Sequence, residues 1–535
     1  MITVRRVITV RFVPVAVVAA LALLVGACAA PTAGPATDPA SMVLADGYEP
    51  DDLNPLLGYG EEGASKLYDG LTALDADRQP QPNLAASAPV AAPDGLSWTV
   101  SLRPGVTFHD GTTFDAADVV ATYRAVLDPA KAATVASGFP MLRDVVAVDP
   151  ATVRFDLSSP FLLFPGRLTL PIVPAEQVAA PGPASDLALG TKPVGTGPYR
   201  LVEWRQGSSM VLEANPAYHG GTPAVRRITI VFATDDNTRA QRVVAGEFDG
   251  TVLPPALARG IAGQAQGMVL REHTSADYRT ITMPFANPVT ADPAIRQALN
   301  RAVNRQGMID ALLAGQGTPA STPVPPVLPE EVEPAAQFPF DPVAANALLD
   351  TAGWVRGADG VRSRGALPAR FTLMYNPADT VRRDLAQAFA SDARTIGVDV
   401  RLEGLGWDAI EPRMGADAVV LGGGNPFDTA FKSWQLLASA NAADGFNNPG
   451  SYRNAAVDQA LGAALAAPDR ATRAAELRRF QLAYAADPGM VFLTFLGHSY
   501  LTRDRFDGYR PVVEPHTHGT TWGPWWNVER WTPRT

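Results

Sequence analysis

Seven short segments in which apolar and polar residues alternate do most to restrict the fold: Trp98–Leu102, Thr152–Leu157, Tyr199–Trp204, Met210–Glu213, Arg227–Phe232, Phe371–Tyr375 and Val398–Glu403. Alternation with period two sends one face of a strand into a core and the other away from it. Stretches of helical period lie between them. Asp292-Pro293 reads as an N-cap followed by proline in the first turn, and Ile295, Ala298, Leu299, Ala302 and Val303 then share one face. Asp341-Pro342 opens a second helix that reaches Ala352 and stops at Gly353. A third runs from about Thr380 to Ile396, with Val381, Leu385, Ala388 and Phe389 inward and Gly397 ending it. Strands mixed with helices over 535 residues imply an α/β protein of several lobes.

The N-terminus has a different character. Arg5, Arg6 and Arg11 lead into an uncharged apolar run from Phe12 to Val25, too short and too abruptly ended for a membrane span. That is an export signal. Val25-Gly26-Ala27-Cys28 resembles the lipobox of bacterial lipoproteins, which makes residues 1–27 a signal peptide and Cys28 a lipidated N-terminus on the outer face of the cytoplasmic membrane. Cys28 is the only cysteine, which excludes an internal disulfide and a cysteine metal site. Residues 28–41 read as a flexible Pro/Ala/Gly tether, with folded structure starting near Met42. The formal charge of -10, more negative still without the leader arginines, argues against nucleic acid as a partner.

Chemistry is suggested in four places and is weak in each. Phe108–Tyr123, FHDGTTFDAADVVATY, gathers His109, Asp110, Asp115 and Asp118. Asp110-Gly111 fits a tight turn, and Asp115 with Asp118 fits an N-cap and a first-turn acid, so all three aspartates have structural roles. Gly58, Gly60 and Gly63 match a dinucleotide fingerprint but follow a loop instead of a strand. Gly497-His498-Ser499-Tyr500-Leu501 falls one glycine short of a nucleophile elbow, leaving an exported hydrolase as an outside reading. His516 and His518 read as a solvated loop. No cofactor, metal site or catalytic residue is expected.

Leu96–Asp128, LSWTVSLRPGVTFHDGTTFDAADVVATYRAVLD, resembles the signature of the family 5 extracellular solute-binding proteins, the dipeptide and oligopeptide receptors of ABC importers. Further blocks follow in the family's order: Leu53-Asn54-Pro55 with Leu67–Leu71, Val194–Trp204, Leu212–Pro223, Ala245–Gly250, Ala294–Ala320, Asp341–Trp354 and Arg505–Pro511. The resemblance implies a two-lobed α/β fold of the periplasmic-binding-protein type (type II, cluster C) with an extra subdomain on the first lobe and a two-strand hinge. On this chain the first lobe would comprise residues 42–59, 192–282 and 501–535, the extra subdomain 60–191, the second lobe 287–496, and the hinge 283–286 with 497–500. It also implies a monomeric, lipid-anchored receptor that is no enzyme and hands a peptide to an ABC permease by hinge closure.

A peptide receptor must grip extended main chain and neutralise the ligand's ends. In Leu421–Trp434, LGGGNPFDTAFKSW, the resemblance places Asp428 as the acid for the ligand's amine, with Gly424 and Asn425 beside it, although Asp428 equally fits a helix cap before Thr429. Trp407 stands where the family often presents a tryptophan to the pocket, and Gly47-Tyr48-Glu49 where relatives pair with ligand backbone; a core tryptophan and a surface turn are the competing readings. Trp434 is a further candidate whose spacing also suits the buried face of a helix. Arg382 and Arg383 keep open a metal-chelate (nickel-type) receptor of the same fold.

Overall fold

Two long strands, Met268–Thr282 and Met490–Arg503, run antiparallel through the middle of an 11-stranded sheet. On one side of them lie, in order, Gly250–Leu253, Ser41–Asp46, Arg227–Phe232, Ser209–Ala214 and Tyr199–Arg205; on the other lie Ala418–Gly423, Arg370–Tyr375 and Asp399–Gly404. The short strand Gly317–Pro319 adds to Met490–Arg503. The computed structural model describes residues 38–534 apart from 62 and 517–521. Cys28, the signal peptide, most of the tether and His518 lie outside the described residues, and the first strand begins at Ser41. Residues Pro39–Thr535 form one compact unit.

The apolar alternation seen in the sequence packs as separate cores. Met42, Leu44, Leu212 and Ile228 join the residue 60–191 region in one core, and Ala240, Val243, Phe248 and Leu253 form a smaller one beside it. Ile295, Leu299, Leu373, Phe389 and Val420 form another beyond the long strands, with Leu461, Leu477 and Phe480 in a neighbour. This is a two-lobed architecture in which the lobes share their central strands. The subdomain carries its own four-stranded sheet, which includes Ser97–Ser101 and Thr152–Leu157.

Helix starts follow the cap chemistry. The side chains of Asp292, Asp341 and Asp379 accept backbone N–H groups at the starts of Pro293–Ala302, Pro342–Thr351 and Thr380–Thr395. Gly353 and Gly397, both at φ +80, follow the last two. In the subdomain Asp115 and Asp118 form a capping box on Ala116–Leu127, and Asp110 accepts from Thr112 in a turn. His109 is bracketed by main chain, with Nε2 3.0 Å from the Gly197 carbonyl. Its burial lowers its pKa.

The long strands break register twice near their middle, between Thr274 and Tyr278 and again between Arg279 and Thr280. Thr274 faces Gly497 and Tyr278 faces Phe495, so Ser275, Ala276 and Asp277 oppose Leu496 alone. A bulge here bends both strands and leaves side chains aimed out of the ladder. The expected hinge segment 497–500 adjoins the first break, whereas 283–286 begins after the other strand has ended at Thr282.

Candidate functional site

A cavity of about 350 Å³ opens over that bulge, walled by both lobes. The first lobe supplies Asp46–Tyr48 at the end of strand Ser41–Asp46, and Asp236 and Arg239 from helix Asp236–Val244. The second supplies the start of helix Thr380–Thr395 with its cap Asp379, and Trp407. Thr380 Oγ1 donates to Asp236 Oδ2 at 3.0 Å, joining the walls.

The floor is a buried network of charges. Asp277 accepts from Arg279, from His498 Nε2 at 3.1 Å and from His516 Nδ1 at 2.8 Å. Glu514 accepts from His498 Nδ1 at 2.7 Å, from the Tyr500 hydroxyl and from His273. Burial by itself would push His498 down, yet Glu514 and Asp277 raise it to about 10. Burial would likewise raise Glu514, but His498 and His273 hold it at about 2. Asp277 lies well below the usual carboxylate range because Arg279 and His516 outweigh burial. His516 is therefore no solvated loop residue: it is largely buried against Asp277, and its backbone N–H reaches the Gly424 carbonyl.

The wall is different. Arg382 touches Asp379 through Nε at 3.1 Å and its guanidinium lies 5.0 Å from the Trp407 ring centroid. Its side chain is only 6% exposed, and no described side chain hydrogen-bonds its terminal nitrogens. Burial, and then the like charge of Arg279, pull it down to about 10.

Of the residues expected from sequence, the structure brings Gly47, Tyr48, Trp407 and Arg382 to this cavity, and not Arg383. A Cβ on Gly47 would meet Arg239 Nη1 at 2.6 Å, so a larger residue there requires the guanidinium to shift. Glu49 turns away to accept from Trp204 Nε1 and the Gly207 N–H, each at 2.7 Å. Gly424, at φ +122, allows close approach, but to the protein's own strand: a Cβ would lie 1.9 Å from the Ala276 carbonyl oxygen. Asn425 accepts the Phe427 and Asp428 N–H groups in a turn. Trp434 stacks on Phe431 with ring centroids 5.7 Å apart, away from the cavity.

Asp428 is also absent from the cavity lining. Its side chain caps helix Thr429–Leu437 by accepting from Phe431, and it lies 2.8 Å from Arg167 Nη2 and 3.4 Å from Arg473 Nη2. With both oxygens engaged, the carboxylate serves as a cap and ion-pair centre in this conformation. Ser499 lies on the strand Met490–Arg503, and its hydroxyl has no histidine partner. Sequence reasoning missed Asp236, Arg239, Asp277, Arg279 and Asp379. Of these only Asp379, directly before the third helix, carried a readable signal.

The model of bacterial extracellular solute-binding proteins, family 5 (middle), matches residues 79–445. The chain belongs to this family. A family 5 protein is the extracytoplasmic, solute-binding component of an ABC importer, and relatives extend the match to most of the chain. Protein XP55 of Streptomyces lividans is 44% identical over 506 residues, 94% of this chain and 93% of the relative. The solved NikZ of Campylobacter jejuni, in complex with Ni(L-His), superimposes with a TM-score of 0.84 at 24% identity, covering 92% of this chain and all of that one. AppA of Bacillus subtilis, in complex with a nonapeptide, gives 0.81 at 25% identity over 92% of this chain and 99% of its own.

Proposed function

We propose that this family 5 protein captures a short zwitterionic peptide in the cavity between its lobes and delivers it to an ABC permease. The supporting observation is the charge balance of the lining. Asp46, Asp236, Asp277 and Asp379 face Arg239, Arg279, Arg382 and a protonated His498, so neither sign is in excess. A guest that brings one charge of each sign leaves that balance intact, whereas a net charge in a dry cavity is costly.

Arg382, which lines the cavity, takes the peptide carboxylate. Asp379 and Asp236, with side chains 32% and 14% exposed, face its amine. Trp407 and Tyr48 cover the side chains, and the Gly47–Tyr48 backbone pairs with the main chain of the guest. About 350 Å³ is near the lower end of the roughly 300–1,000 Å³ of small-molecule sites, which suits a di- or tripeptide and is small for a nonapeptide. Closure bends the bulge at Ser275–Asp277, where the paired strands lose register. Cys28 anchors the monomer to the membrane, and replacing it with serine releases the protein into the soluble fraction.

A nickel chelate is the second reading, favoured by the fold match to NikZ. Against it, His498, the histidine among the described lining residues, is already taken by Asp277 and Glu514. Calorimetry with di- and tripeptides and with nickel–histidine decides between them. Saturable peptide binding accompanied by compaction in solution scattering supports the proposal. Binding of nickel–histidine without any peptide binding overturns it.

A further inference from the structure

A second cavity, of about 300 Å³, lies between the subdomain and the second lobe and shares no lining residue with the first. Its lining is mixed: Leu162 and Leu163 from the subdomain and Leu328 and Phe427 give it an apolar part, beside a larger polar one. Three arginines also line it. Arg473 is paired with Glu331 and Asp428, and Arg470 donates to Gln79 Oε1 at 2.8 Å. Arg78 differs from both. It sits at the tip of the hairpin between strands Thr72–Leu74 and Pro80–Pro82, held at φ +64 by a turn in which Asp75 accepts from Asp77 and Gln79. Its guanidinium has no ion pair among the described residues, and its buried Nη1 has no hydrogen-bond partner.

Arg78, Arg470 and Arg473 against Glu330 and Glu331 leave one positive charge in excess. An unpaired guanidinium atom buried beside an apolar wall is unfavourable until an anion meets it, and a carboxylate fits the guanidinium fork. We propose that this pocket is a second ligand site, for a monocarboxylate carried on an aliphatic or aromatic body. Because its walls come from the subdomain and the second lobe, such a guest contacts both and stabilises the closed molecule. By linkage it tightens cargo binding by the same factor that cargo tightens its own. This site stands apart from the reading of the cargo.

3-Phenylpropanoate is the probe, titrated by calorimetry into the Arg382→Gln variant, which has lost the carboxylate anchor of the main cavity. Saturable one-to-one binding is expected, at least tenfold weaker for the neutral 3-phenylpropanamide. Adding Arg78→Ala should weaken it at least tenfold, and because this half-buried turn residue makes no ion pair among the described residues the melting temperature stays unchanged. Arg78→Ala alone keeps the affinity for the peptide cargo, so failure here and failure of the cargo reading are told apart. Equal binding of acid and amide, binding indifferent to Arg78→Ala, or no saturation at millimolar probe each overturns the second site.

Discussion

The loop Gly422–Asp428 has an arginine–aspartate cluster at each end, and the two are built to opposite effect. At its far end Asp428 draws Arg167 from the subdomain and Arg473 from the second lobe, while Glu331 takes the rest of Arg473. Phe431 of the same helix is buried in the core of the first lobe and subdomain, under the Arg167 guanidinium at 4.1 Å. Charges there are spent on the protein itself. At the near end a Cβ on Gly422 would touch both Arg279 and Arg382, two cations side by side, and Arg382 is left with donors to offer. Unspent hydrogen-bonding capacity in a cleft between lobes is what a ligand can use. Residue type alone does not distinguish the two ends; the partners do.

The largest effect that separates the two ends is expected from Asp428→Ala. Removing the shared anion strands the buried Arg167 guanidinium, while Arg473 keeps Glu331, and should destabilise the fold by about 3–5 kcal/mol. Chemical denaturation reads this directly. A variant as stable as the wild type that has lost peptide affinity would instead return Asp428 to the ligand site.

Arg382→Ala should do the reverse. Peptide affinity falls by about 2–5 kcal/mol, the penalty for leaving the guest's carboxylate unpaired. Stability holds or rises, because the like charge beside Arg279 is gone. Loss of stability with unchanged affinity would make the near end a second structural ion pair and erase the contrast.

How far this could be read in advance depends on the range of the interaction. Asp292, Asp341 and Asp379 cap helices because a cap is decided by residues within one turn, and strands such as Thr152–Leu157 and Arg227–Phe232 follow from alternation alone. The two long strands were not legible as strands: nearly continuous burial on both faces gives Met490–Phe495 no alternation to detect. Site residues failed for the same reason. Arg167 is 261 positions from Asp428, and His516 is 239 from Asp277, so no window of sequence shows that either acid already has its counter-charge. Trp407 and Tyr48 were within reach because family blocks fix their place relative to a strand end.

The floor network sharpens the contrast through pH. His498, raised from 6.5 to about 10, contributes its full stability below pH 6.5 and loses it as pH climbs toward 10. Glu514, lowered from 4.5 to about 2, contributes above pH 4.5 and fades as pH falls toward 2. His498→Gln should therefore cost about 1.5–3 kcal/mol at pH 6, the value of hydrogen bonds to charged groups, and progressively less toward pH 10. A deficit that stays constant over that range would mean the imidazole is neutral and that the floor is held by shape alone.

The smallest effect tests what positions Arg382. Trp407 offers its ring face to the guanidinium and meets Phe446 edge-on with centroids 5.7 Å apart. Trp407→Leu keeps apolar cover but removes the cation–π contact, and peptide affinity should drop by about 0.5–2 kcal/mol. If the tryptophan acts by orienting Arg382, this loss disappears in the Arg382→Ala background, where no guanidinium remains to be held. If it acts by stacking on the guest, the two losses add. A double-mutant cycle measured by calorimetry distinguishes these cases, and full additivity would assign Trp407 to the ligand's side chain instead of to the arginine.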